Sequence, residues 1–208
     1  MNAYLAYLKE GWQPSGNILS DVTSFLAVHD GNPIDDHCLR VGAAACRLAE
    51  QFDADPEQAE LAGWLHDISK VIPNARRLEA ALALGLEVLP EEAAFPMILH
   101  QKLSVEMARE LFGISQPDVL SAIGCHTTLK QDAALLDKGV FLADKLEWDG
   151  VGAAPYLPAV LAGLERSLEQ GVFAYLDYLW QQRHTLRCLH PWLVDAHAQL
   201  AADSSLQS

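Results

Sequence analysis

At 208 residues, half of them apolar and with both signs of charge present, the chain is long enough to bury a sizeable core in one globular unit. The net charge of −14, from 28 acidic residues against 14 Lys and Arg, argues against a duplex nucleic-acid binder, although an acidic protein still takes phosphates where a metal supplies the positive charge. No segment reaches the roughly 18 uninterrupted apolar residues of a membrane span, and Lys9 and Glu10 break the apolar stretch a signal peptide would need. Cys38, Cys46, Cys125 and Cys188 lack CxxC or metal-ribbon spacing, so packed, reduced thiols in a cytoplasmic protein are expected.

In chain order, residues 1–16 read as a short amphipathic extension ending at the Pro14-Ser15-Gly16 turn. Ile18, Leu19, Val22, Phe25 and Leu26 recur with helical spacing up to Val28, and Asp30-Gly31-Asn32-Pro33 has turn chemistry. In the next helix His37 shares a stripe with Val41, Ala44, Ala45, Leu48 and Phe52, so a histidine lies on the core face. Asp55-Pro56-Glu57 is a helix start that launches Ala59–Leu65 into His66-Asp67. A further helix is expected over Ala75–Leu84, closed by Gly85, followed by a Pro-punctuated connector over Glu87–Phe95. His100 ends the apolar run Met97-Ile98-Leu99 at the edge of a helix over Ser104–Phe112. Pro117 opens a helix with Val119, Ile123 and His126 on its buried face, and in the next one Leu136, Val140, Ala143 and Asp144 share a stripe. Pro155–Trp180 and Pro191–Ala202 add helices, with Phe173, Tyr175, Leu176 and Leu179 read as core, a dimer face being the alternative. Period-two alternation is almost absent, so the fold class is all-α, a helical bundle. The expected division is 1–16 as extension, 17–150 as the metal-binding domain and 151–208 as helices packing on it.

The organising stretch is Ala62–Lys70, an apolar run interrupted by His66, Asp67 and Lys70. A lone histidine on an apolar stripe is more often a satisfied core residue. Four histidines and two aspartates that all interrupt apolar faces are different, because one metal centre satisfies them together. His37, His66, Asp67, His100, His126 and Asp144 are therefore the candidate metal ligands. His29, His184, His190 and His197 lie in turn-rich or polar surroundings and read as surface or structural residues. Imidazole with carboxylate suits iron, manganese or zinc, and a carboxylate can bridge two metals about 3.5–4 Å apart, for which Asp67 is the candidate. His66 would then point about 100° round the helix from it.

These ligands resemble the H…HD…D pattern of the HD-domain superfamily of metal-dependent phosphohydrolases, with the two extra histidines of its two-metal members. Asp36-His37-Cys38-Leu39-Arg40-Val41, Leu65–Lys70, Ile98-Leu99-His100, Ala122–Thr128, Phe141–Glu147 and Leu189-His190-Pro191 together are similar to the bacterial YqeK family. That resemblance spans roughly residues 18 to 200. It implies an HD-domain helical bundle, two divalent or mixed-valence metals with iron favoured, and symmetrical hydrolysis of diadenosine tetraphosphate to two ADP by a metal-activated water. It also implies that His37, His66 and Asp144 hold one metal, and His100 and His126 the second.

The chain departs from the family in the loops. Gln101-Lys102-Leu103-Ser104 replaces a Gly-Pro-Val-Gly-like run, Leu129-Lys130 stands where Gly and Arg are usual, and Trp148-Asp149-Gly150 follows Glu147 in place of a Pro and then an Arg. Lys70 and Asp67 are the candidate catalytic residues. Lys70, Arg40, Lys102, Thr127, Thr128 and Lys130 are the candidate substrate contacts, Lys102 and Lys130 as replacements for lost positive charge. For Arg40 a surface ion pair is the competing role, and for the two threonines a helix cap. The expected partner is a dinucleoside polyphosphate or another nucleotide, with no membrane and with a homodimer possible. Two alternatives stay open: another nucleotide phosphohydrolase of the superfamily (nucleotidase or cyclic-nucleotide phosphodiesterase), or a metal-containing nucleotide sensor without turnover.

Overall fold

The computed structural model of the protein describes residues 2–29 and 32–203. Among these residues there is no strand, and α-helices follow one another from α1 (Ala3–Leu8) and α2 (Ile18–Val28) to α12 (Pro191–Ala202). The Asp30-Gly31 half of the expected turn lies outside the described residues, while Asn32 and Pro33 already belong to α3 (Asn32–Gln51).

Five helices make the frame of the site. α3 packs along α4 (Pro56–Leu65) and α9 (Leu135–Leu146), and α8 (Pro117–Cys125) packs on α4, α9 and α7 (His100–Phe112). Each helix buries one apolar stripe, so Val41, Ala45, Leu65, Leu103, Met107, Ile123, Val140 and Phe141 form one core. Asp55 starts α4 as its sequence suggests, accepting from the amides of Glu57 (3.0 Å) and Gln58 (3.1 Å). The first 16 residues are anchored in the same core through Leu5, Leu8 and Trp12, whose indole N–H donates to Ser24 Oγ (3.0 Å).

Glycine sets how closely α3 and α4 meet. A Cβ on Gly63 would lie 2.5 Å from Gly42 Cα, so the two backbones touch there and bring His37 alongside His66. Gly63→Ala should therefore cost about 1–3 kcal/mol in denaturant unfolding, because neither backbone can withdraw without moving its helix.

Several elements differ from the sequence reading. The expected connector over 87–95 contains α6 (Pro90–Ala94), because Pro90 fits the first turn and Glu92 reaches back to the Leu89 N–H (2.8 Å). The helix expected from Ser104 begins at His100, fed directly by a 3-10 turn over Pro96–Leu99. The stretch 75–84 divides into a 3-10 turn (Asn74–Arg76) and α5 (Arg77–Ala83). The expected helical region over 155–180 is two helices, α10 (Leu157–Leu164) and α11 (Leu168–Gln181), divided at Ser167, whose hydroxyl accepts from the Gln170 amide (3.1 Å). α11 packs on α9 with Leu176 fully buried and Phe173, Tyr175 and Leu179 packed around the core. The four cysteines are free thiols. No helix among the described residues is long and apolar enough to cross a membrane.

Candidate metal centre

Local geometry turns three histidines the same way. His66 follows the last residue of α4, His100 opens α7, and His126 follows α8. In each the Nδ1–H donates to the carbonyl three residues earlier: Gly63 (2.6 Å), Met97 (2.6 Å) and Ile123 (2.8 Å). That bond fixes the tautomer and leaves each Nε2 lone pair facing inward.

Asp67 stands at the centre, 1 % exposed. The sequence reading put it on the same helix as His66, but α4 ends at Leu65 and Asp67 has φ −109° and ψ 10°. This bridge conformation swings the carboxylate among the imidazoles instead of along the helix surface. Its Oδ2 faces His66 Nε2 (3.3 Å) and His37 Nε2 (3.7 Å), while its Oδ1 faces His100 Nε2 (3.4 Å) and His126 Nε2 (3.6 Å). Asp144 Oδ1, from α9, completes the first side at 3.1 Å from His37 Nε2 and 3.6 Å from His66 Nε2. All six sequence-derived candidates are thus brought together from five helix ends and faces.

The group fits a metal by its own hydrogen-bond accounting. His66 Nε2 and both oxygens of Asp67 are buried with no hydrogen-bond partner. Lys70 reaches Oδ2 from the mouth, but these three atoms, turned toward one another and toward the other imidazoles, are costly to bury together unless a cation lies among them. The titration directions agree. Burial pushes His100 down to about 3 and lowers His126, so both imidazoles are neutral donors. Burial would raise both carboxylates, but His66 beside Asp67 and Lys145 beside Asp144 hold them well below the usual carboxylate range. Burial also works against the His66 imidazolium, yet the Asp67 and Asp144 carboxylates outweigh it and raise its pKa, the direction expected where acids gather round a ring with no cation among them.

Supporting residues that the sequence did not single out hold this arrangement. Buried Ser69 donates to the His100 carbonyl (2.7 Å), and Ser104 donates to Ser69 Oγ (3.0 Å), tying the turn after Asp67 to α7. Gln101 donates to Thr128 Oγ1 (3.1 Å) and accepts from the Thr127 amide (3.2 Å), tying α7 to the end of α8. Lys145 pairs with Asp144 and donates to the His126 carbonyl (3.1 Å).

The candidate substrate residues divide. Lys70 pairs with Asp67 and lines an open cavity of about 190 Å³ with Ile34, His37, Asp67 and Asp149. Thr127 Oγ1 is 3.0 Å from His100 Nε2, at the cluster, whereas Thr128 is buried against Gln101. Arg40 pairs with Asp36, Asp149 and Glu147, the ion-pair role anticipated as its alternative. Lys102 is held by Glu92 (2.8 Å) and the Glu87 carbonyl (3.0 Å), and Lys130 by Asp137 (3.1 Å) and Ser121, so neither is brought to the six ligands. Of the four histidines set aside, His184 is exposed, His190 and His197 are buried against Glu92 and Asp177, and His29 bonds the Leu8 carbonyl (2.8 Å).

Comparison with known proteins adds a match of residues 34–149, which include all six clustered residues, to the model of the HD domain. The chain belongs to the HD-domain family. HD domains bind divalent metals, and this chain gathers His and Asp groups close enough to hold one. A relative 46% identical over 143 residues, 69% of this chain and 72% of that one, is an uncharacterized protein in the pepC 5' region of Lactococcus lactis subsp. cremoris. The symmetrical bis(5'-nucleosyl)-tetraphosphatase of Staphylococcus aureus is 34% identical over 114 residues, 54% of this chain and 57% of that one, in line with the YqeK resemblance. Among solved structures, a predicted HD superfamily hydrolase involved in NAD metabolism from Clostridium acetobutylicum superposes with a TM-score of 0.79 at 25% identity, over 92% of this chain and 99% of that one.

Proposed function

We propose that this HD-domain hydrolase is a dinuclear phosphoanhydride hydrolase that cleaves diadenosine tetraphosphate, or a close dinucleotide, symmetrically into two nucleoside diphosphates. The observation that carries the reading is the division of Asp67: one oxygen faces His37 and His66, the other His100 and His126. Two cations would be held there, one by His37, His66 and Asp144 and one by His100 and His126, with Asp67 shared between them. Bound there, divalent ions supply Lewis-acid charge to phosphate oxygens and make hydroxide available near neutral pH. Iron is the proposed metal, with manganese and zinc compatible with the same donors.

The remaining steps belong to this chain's own groups. Lys70, 38 % exposed at the mouth, gives up Asp67 when the centre is loaded and turns its ammonium to a phosphate oxygen as charge builds in the transition state. The Thr127 hydroxyl offers a second donor on the opposite side. Water attacks the phosphorus beside the central bridging oxygen and loses a proton to solvent, the P–O bond to that oxygen breaks, and the leaving nucleoside diphosphate takes the electron pair. The tetraphosphatase name of the relatives supports this phosphorus over the others. The four free thiols support a reducing cytoplasm as the place of work.

The test is hydrolysis of diadenosine tetraphosphate by metal-loaded protein, with products separated by chromatography. ADP as sole product is expected. ATP with AMP would move the attack to another phosphorus, and an untouched dinucleotide beside a cleaved mononucleotide or cyclic nucleotide would move the protein to a sister activity. In the same assay Lys70→Ala should lower kcat by roughly 10²-fold while leaving metal content unchanged.

A further inference from the structure

Three of the four cluster histidines take their orientation from a carbonyl on the chain just before them; His37 does not. Among its described contacts, Nδ1 faces a side chain, with Asp149 Oδ2 at 2.6 Å. The other oxygen of Asp149 receives the guanidinium of Arg40, which stands on α3 nearly one turn after His37 and also reaches Glu147 (3.3 Å) and Asp36. Asp149 is thus held between two groups of α3 although it belongs to the segment that follows α9.

We propose that Asp149 is a positioning residue for the metal centre, holding His37 as the Nδ1–H tautomer so that its Nε2 lone pair points at the ion between His37, His66 and Asp144. The proposal rests on the dinuclear reading above. One short stretch of chain then grips both nitrogens of the ring: Asp144 Oδ1, at hydrogen-bond distance from Nε2 (3.1 Å), competes in the metal-free chain for the ring proton with Asp149, five residues on and 2.6 Å from Nδ1. The Nδ1 contact is short but not aligned as a hydrogen bond, since that nitrogen lacks a partner of good angle. The Asp149 side chain is 56 % exposed.

Its chemistry differs from that of the three carbonyl-held rings. A carboxylate partner makes an imidazole a more basic ligand than a carbonyl does, and loss of such partners typically weakens metal binding by about 10–100-fold. Arg40, in turn, acts through Asp149: its guanidinium, paired with the carboxylate, sets where the carboxylate stands.

Two readings on the full-length, metal-stripped chain test this. Mn²⁺ titration followed by electron paramagnetic resonance gives the affinity, and long-range ¹H–¹⁵N correlation gives the His37 tautomer. Asp149→Ala should bind one of its ions about 10–100-fold more weakly and lose the Nδ1–H preference. Asp149→Asn, whose amide oxygen still accepts, should keep the tautomer and fall between. Equal affinity in wild type and Asp149→Ala, or an Nε2–H tautomer in the wild type, would overturn the assignment while leaving the metal centre intact. A wild type that binds no Mn²⁺ at all would overturn the dinuclear reading with it.

Discussion

Asp67→Asn should disable the centre: metal content is expected to fall from about two ions per chain to less than one, and dinucleotide hydrolysis by at least about 10³-fold. Asn has the shape of Asp, so packing around the site survives and only the charge and one oxygen donor are lost. Those are what the four imidazoles surround. Stability supplies an independent reading. A metal at about 100 times its Kd stabilises the native state by about 2.7 kcal/mol, and a chain of this length loses about 2–4 °C of Tm per kcal/mol. A chelator should therefore lower the wild-type Tm by roughly 5–11 °C and leave Asp67→Asn nearly unmoved. Full metal content and unchanged hydrolysis in the variant would remove Asp67 from the bridge.

That these six residues meet was legible because each is a polar residue on an otherwise apolar stripe. His37 among Val41, Ala45 and Leu48, and Asp144 beside Val140 and Ala143, break a pattern that only burial explains. Helix existence was legible for the same reason, since the 3.6-residue period depends on one buried face and needs no knowledge of the partner. Boundaries near the site were not. His100 was rightly put at a helix edge, but that helix was started at Ser104 and Asp67 was set inside one, because a 3-10 turn and a bridge-region residue leave no periodic mark.

The supporting residues were hidden for a different reason. Gln101, Ser69 and Lys145 act through a bond to a backbone atom or a side chain on another helix, which spacing within one helix does not reveal. Asp149 sits in a non-periodic segment where a charged residue is ordinary. Lys102 and Lys130 show the converse. A lysine two residues after His100 invites assignment to a phosphate, but the acid that claims it, Glu92, comes from a segment read as a connector. Charge alone did not tell a substrate contact from a buried ion pair, because the distinction lies in the tertiary partner.

That ion pair carries the second large effect. Glu92→Ala should lower stability by about 3–5 kcal/mol, or roughly 6–20 °C in Tm, while metal content at 20 °C stays unchanged. Glu92 is fully buried and accepts from the Leu89 amide (2.8 Å), Lys102 Nζ (2.8 Å) and His190 Nε2 (3.2 Å). It thereby joins α6 to α7 and to His190, whose Nδ1 accepts from the Trp192 amide (3.2 Å) at the start of α12. Alanine would leave the Lys102 ammonium and the His190 ring without their acceptor in the interior. The pH dependence has a definite sign. Burial would raise the Glu92 pKa, but His190, Lys102 and the Leu89 amide outweigh it and bring the folded value below the ordinary 4.5. Its stabilisation is therefore complete above the unfolded value and is lost as pH falls through the lowered folded value. The gap in Tm between wild type and Glu92→Ala should be constant near neutrality and close only in acid below 4.5. Glu92→Gln, which keeps the volume and one accepting oxygen, should lie between them at pH 7 and lose this acid dependence. An Ala variant as stable as the wild type at neutral pH would mean that desolvating the acid costs as much as its three bonds return.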